Sequence, residues 1–167
     1  MGLGNKDNEK LSLRRDTGYG DAERYILPDN KLPNEELPNI KRKVEEEIIT
    51  LTTLDSFMGK INNSRVDFMK MDTEGYEYFG LQGAKKILAS NPDMVLMLEC
   101  TELGTKRAGH TQQDVYDILN EFGFRCFYWD SAQQSWGKDK AALLEAGNIW
   151  ACRSVEQLPT LEGFPAN

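Results

Sequence analysis

The stretch that decides the fold is VDFMKMDTEGYEYFGLQGAKKIL, residues 66–88, followed by MVLMLE, residues 94–99. Val66 to Met71 is a mostly apolar run of strand length. Thr73 can cap a following helix, with Glu74 and Glu77 favourable in its first turn. That helix would carry Leu81, Ala84 and Leu88 at i, i+3 and i+7 and stop at Asn91-Pro92. Met94 to Leu98 is continuously apolar, as a strand buried on both faces should be.

Outward from this unit the pattern continues. Upstream, Ile48 to Leu54 is β-branched and reads as a strand. Downstream, Thr111-Gln112-Gln113-Asp114 is a capping-box pattern. It opens a helix with Val115, Ile118, Leu119 and Phe122 on one face, ended by Gly123. Phe124, Cys126 and Tyr128 alternate as a strand. Lys138 to Ala146 reads as a short helix, and Ile149 to Cys152 as a last strand. This alternation predicts an α/β fold, an open and mostly parallel sheet with right-handed crossovers.

Residues 1–155 are expected to form one domain, with 1–47 rich in loops, 48–155 as the α/β core and 156–167 as a loose tail. Within 1–47 one short strand is expected near Glu9 to Leu13, then a long loop. The charge run from Lys41 to Glu47 reads as a solvated face. The length of 167 residues, 40% of them hydrophobic, is enough for a real core and excludes a disordered chain.

A net charge of −7 disfavours non-specific binding to nucleic acid or to anionic membranes. One histidine and three cysteines argue against a His/Cys zinc site. The polar opening MGLGNKDNEK is unlike a secretory signal, and no apolar run reaches the length of a membrane span. Cys100, Cys126 and Cys152 lie in apolar, strand-like runs and read as reduced, buried thiols. A cytoplasmic setting is the expectation.

Open α/β sheets place their sites at the carboxyl ends of the strands. Asp72 and Glu74 follow one strand end and Glu99 ends the next. If those strands are neighbours, Asp72 and Glu99 meet at the top of the sheet. Such carboxylates could hold a divalent cation or deprotonate a substrate hydroxyl. Alternatively, Asp72 and Glu74 cap a helix and Glu99 pairs with Lys70. His110 could serve as a base near the same mouth, or be a surface histidine. Trp129 and Trp136 read as packing residues or pocket lining. Ser64 and Ser131 have no histidine arranged beside them, which disfavours a hydrolase triad.

The quoted stretch resembles the signature of the FkbM family of S-adenosylmethionine-dependent methyltransferases. The resemblance rests on Lys70, Asp72, Glu74, Gly75, Glu77, Leu81, Gly83 and Ala84, with Thr53-Leu54-Asp55 upstream and Met97-Leu98-Glu99 downstream. It implies an incomplete class I, Rossmann-like methyltransferase sheet whose last strand is antiparallel. It implies S-adenosylmethionine as cofactor and a hydroxyl of a small molecule or sugar as methyl acceptor. Asp72 then falls where fold relatives place a catalytic, cofactor-binding or metal-binding aspartate, with Glu74 as helper and Glu99 as second carboxylate. A divalent metal is compatible with these residues, but nothing in the sequence calls for one.

The resemblance also implies a Gly-rich cofactor turn and an acidic ribose ligand upstream of the matched region. Gly2-Leu-Gly4 and Gly18-Tyr-Gly20 do not follow that turn's pattern. The expectation is a truncated or minimal enzyme, with an open sheet edge suited to a second copy or a partner chain. The alternative is a non-catalytic, methyltransferase-like binding or assembly module that uses the same edge.

Overall fold

The computed structural model describes residues 1–16, 24–26 and 44–159. The long loop expected between residues 17 and 43 falls largely outside them. So do Gly18 and Gly20, the start of the charge run, and the end of the tail.

A four-stranded sheet holds β1 (Gly2–Leu3), β2 (Lys10–Asp16), β3 (Arg24–Ile26) and β4 (Val44–Thr52), in the order β1-β4-β2-β3. β1 runs parallel to β4, while β2 is antiparallel to both β4 and β3. The end of the charge run is therefore strand rather than loop. Glu46 lies opposite Arg14 in the ladder, and Arg14 Nε sits 2.8 Å from its carboxylate. Arg14 is only 7% exposed, so the glutamate serves a nearly buried cation.

β4 stops at Thr52 because Thr53 caps α1 (Leu54–Lys60), accepting the Ser56 N–H at 3.1 Å. The reading of a strand through Leu54 is corrected here by two residues. Asp7 reinforces the junction, accepting from Thr52 Oγ, Thr53 N–H and Ser56 Oγ at 2.6 to 2.9 Å. These bonds hold its carboxyl down at about 2.

The second sheet holds β5 (Phe68–Met71), β6 (Val95–Glu99), β7 (Arg125–Asp130), β8 (Ser135–Gly137) and β9 (Asn148–Cys152), in the order β5-β6-β9-β7-β8. β5 and β6 are parallel. β9 is antiparallel to both β6 and β7, and β8 folds back on β7 as a hairpin. The expectation of a mostly parallel sheet is thus corrected. β5, β6 and β7 share a direction, but β9 inserts between β6 and β7, so β5–β6 is the parallel neighbour pair in this sheet. The last strand is antiparallel, as expected.

The helix expected after β5 is two helices, α2 (Glu77–Gln82) and α3 (Lys85–Ser90). The break falls at Gly83, where a Cβ would lie 2.0 Å from the Gly4 carbonyl oxygen. That close approach, with Asn5 Nδ2 donating to Gln82 Oε1 at 3.0 Å, ties the first sheet to the second unit. Asp55 adds to it by accepting the Lys86 and Ile87 N–H groups at the start of α3. Leu81, Ala84 and Leu88 are nonetheless all buried, since the break preserves their common face.

α4 (Glu102–Ala108) follows β6, in a stretch to which the sequence reading assigns no element. α5 (Gln112–Glu121) opens with the capping box on Thr111 and Asp114. α6 (Lys140–Glu145) is capped by Asp139. One face of the second sheet packs Met71, Leu96, Leu98, Ile149 and Ala151 against Leu81, Leu88, Val115, Ile118 and Leu119 from the helices. Along the other face Phe68, Trp150, Trp136 and Trp129 form a row, with successive ring centroids 5.9, 5.4 and 5.1 Å apart. Leu158, expected in a loose tail, is buried against Val95, Phe127 and Cys152. Trp136 Nε1 donates to the Pro159 carbonyl at 3.1 Å, which makes Trp136 a packing residue. Among the described residues no helix is long and apolar enough to cross a membrane.

Candidate active site

The parallel register pairs Met71 with Leu98, so the residues just beyond the two strands emerge side by side. Asp72 and Glu99 are brought together in this way, and Glu74 joins them from the turn that follows β5. One carboxylate oxygen from each of the three lies within 4.8 Å of the others. The structure thus assembles all three carboxylates singled out in the sequence. Three oxygen donors at this spacing are also a set that a hard divalent cation accepts.

Their environments differ. Lys70 Nζ donates to Asp72 Oδ2 at 2.7 Å, and that bond holds the Asp72 carboxyl below its ordinary value. Glu99 goes the other way. Burial and the negative charges of Glu74 and Asp72, with a hydrogen bond to Asp72, push its carboxyl up to about 7. Lys70 therefore belongs to Asp72 rather than to Glu99. Neighbouring carboxylates whose titrations are driven apart divide into a permanent anion and a group able to take or give a proton near neutrality.

The turn that carries Asp72 and Glu74 is tightly constrained. Glu74 (φ +55°) and Gly75 (φ +99°) both occupy the left-handed region. A Cβ on Gly75 would lie 2.1 Å from the Gly104 carbonyl oxygen, so the turn presses directly on α4. Thr73 is not the helix cap that the sequence suggested, since Tyr76 holds that position. Instead Glu77 Oε1 accepts both the Thr73 N–H at 2.6 Å and the Thr73 hydroxyl at 2.8 Å. Glu77 is 1% exposed, and its second oxygen has no hydrogen-bond partner among the described residues.

His110 stands close by but not as a free base. Its Nε2 is 2.7 Å from the Gly75 carbonyl oxygen. Sequence reading gave Glu77 only a helix-dipole role and missed Gly104 altogether. The Thr73–Glu77 spacing of four residues was the available signal for the first. The second is a contact between residues 29 apart in the chain and has no local signature. Gly2 and Gly4 form no cofactor cradle, because both pack on Leu51.

The sequence model of the methyltransferase FkbM domain matches residues 2–126, and the chain belongs to that family. No curated protein and no solved structure matches it.

Proposed function

We propose that the chain takes part in S-adenosylmethionine-dependent methyl transfer to a hydroxyl of a small molecule or sugar. Glu99 acts as the proton acceptor and Asp72 as the fixed anion. The observation that carries the reading is the cluster of Asp72, Glu74 and Glu99 at the ends of two adjacent parallel strands, with the Glu99 carboxyl pushed up to about 7. The five-stranded sheet is read as the later part of a class I methyltransferase sheet.

The residues present fit the cationic end of the cofactor. Lys70 is matched by Asp72, and the Asp72, Glu74 and Glu99 carboxylates converge at the mouth. When bound, S-adenosylmethionine supplies an electrophilic methyl group on a positively charged sulfur. Asp72 and Glu74 offer negative potential to that charge. Glu99 orients the acceptor hydroxyl by hydrogen bonding and takes its proton as the oxygen is alkylated. A divalent cation is a compatible occupant of the same carboxylates, but the reading does not need one.

Transfer of tritiated methyl from S-adenosylmethionine to a panel of sugars and small alcohols tests this. Activity should rise with pH through about 7 as Glu99 ionises. Glu99→Gln should lower turnover by about 100-fold or more. Wild-type turnover in that variant would remove Glu99 from the chemistry.

A second reading, a binding module acting through an open sheet edge, is favoured by β5. Among the described residues this strand is paired on one side only, and Phe68 beside the open edge is 52% exposed. Size-exclusion chromatography separates the readings: a monomer that transfers methyl groups counts against the second.

A further inference from the structure

The turn from Asp72 to Gly75 sets where two of the three carboxylates sit, and its backbone is one that the sequence alone would not choose. Glu74 is a non-glycine residue at φ +55°. Such a conformation persists only where the surroundings over-determine it. Two constraints have been described, Thr73 held by Glu77 and Gly75 pressed on Gly104. The third comes from His110, the one histidine of the chain. A carbonyl oxygen only accepts, so the 2.7 Å contact with Gly75 is a hydrogen bond only with the proton on Nε2. The ring is held for this by Tyr78 and Phe79, at centroid distances of 5.1 and 5.6 Å. The other ring nitrogen, Nδ1, lies 3.2 Å from a second acceptor, the Thr111 carbonyl next to the capping box of α5; a neutral ring donates to only one of the two, and the Gly75 contact is the shorter. His110 thus sits between the carboxylate turn and the start of α5.

We propose that His110 is a positioning residue, which by donating its Nε2 proton to the Gly75 carbonyl holds the β5–α2 turn so that Asp72 and Glu74 converge on Glu99. The proposal rests on reading those carboxylates as the methyl-transfer site. It assigns His110 no proton transfer with substrate, because the nitrogen facing the site is already committed to the backbone. Releasing the carbonyl frees the turn from one of its three anchors and lets Glu74 drift from Glu99. Displacements of this size near reacting groups lower turnover more than they weaken binding.

The test has two arms. In the first, long-range nitrogen–proton NMR of the full wild-type chain reads the ring tautomer, and carbonyl carbon NMR reads Gly75. The neutral ring should carry its proton on Nε2, and the Gly75 carbonyl shift should move in His110→Phe and return towards wild type in His110→Gln, whose side-chain amide can donate. A neutral ring protonated on Nδ1, or a Gly75 carbonyl indifferent to His110→Phe, overturns the proposal. This arm needs no activity, and so it stands or falls apart from the methyl-transfer reading. The wild-type tautomer decides even if His110→Phe does not fold. In the second arm, His110→Phe should lower kcat by at least about tenfold while KM for S-adenosylmethionine stays within about twofold, and His110→Gln should recover most of the loss. Equal losses in the two variants, or full activity in His110→Phe, would overturn it.

Discussion

Glu99→Gln offers a test of the site that needs no substrate. In the unfolded chain Glu99 ionises near 4.5, and in the folded protein only near 7. Between those values the unfolded state has given up a proton that the folded state still holds, so stability falls as pH rises. The contribution is fully present below about 4.5, lost progressively through that window, and absent above about 7. A fully transmitted shift of that size would amount to about 3 kcal/mol. Glu99 is only partly buried, and solvent screening reduces the expectation to about 1–2 kcal/mol. Glutamine keeps the shape and removes the ionisation.

The assay is urea unfolding of both proteins at several pH values from 4.5 to 8, taking the difference between them at each pH. Groups common to both cancel in that difference. Wild type should lose about 1–2 kcal/mol relative to Glu99→Gln between pH 4.5 and 7, with no further change above. Parallel stability curves across the window would refute the argument that burial and the neighbouring carboxylates oppose the Glu99 charge.

Two other substitutions probe the frame around the site. Gly75→Ala forces a Cβ into the Gly104 carbonyl at a φ of +99° and should cost about 3 kcal/mol or more in urea unfolding. Gly59→Ala in α1, where a Cβ meets nothing within 4 Å, should instead gain about 0.5–1 kcal/mol. Arg153 donates to the Phe122, Asn91 and Leu88 carbonyls at 2.8 to 3.0 Å and lies over the Phe124 ring. Arg153→Met should therefore cost about 2–4 kcal/mol, read as a lower thermal midpoint, because three carbonyls lose a charged donor.

The parts legible in the sequence share a physical cause. β5 is a mostly apolar run and β6 is apolar up to Glu99, both with punctuation at their ends, and their parallel pairing brings Asp72 to Glu99 without further information. α5 announces itself through a capping box and a stripe of apolar residues. α4 does not, because the residues it buries are Gly104, Thr105 and Ala108, while its one large apolar side chain, Leu103, is exposed. α1 was hidden by the β-branched run that leads into it, and only the Thr53 cap marks the change. The break between α2 and α3 depends on the Gly4 carbonyl, 79 residues away in sequence. The glutamates at the end of the charge run are exposed, as a solvated face should be, but nothing local shows that they lie in a strand or that Glu46 faces Arg14 across a ladder. The insertion of β9 between β6 and β7 is likewise a matter of pairing that strand composition does not encode.

The candidate site divides in the same way. Its acidic residues were legible as residues at strand ends. Their unequal titration was not, because it depends on the Lys70–Asp72 contact and on the burial of Glu99. The mechanism built on them stands on whether this chain engages the cofactor that its family uses. Isothermal titration of the full chain with S-adenosylmethionine measures that directly. The account predicts a saturable heat with a Kd below about 1 mM, weakened at least about tenfold by Asp72→Ala. The absence of any binding heat at that concentration, from a folded protein, would contradict it.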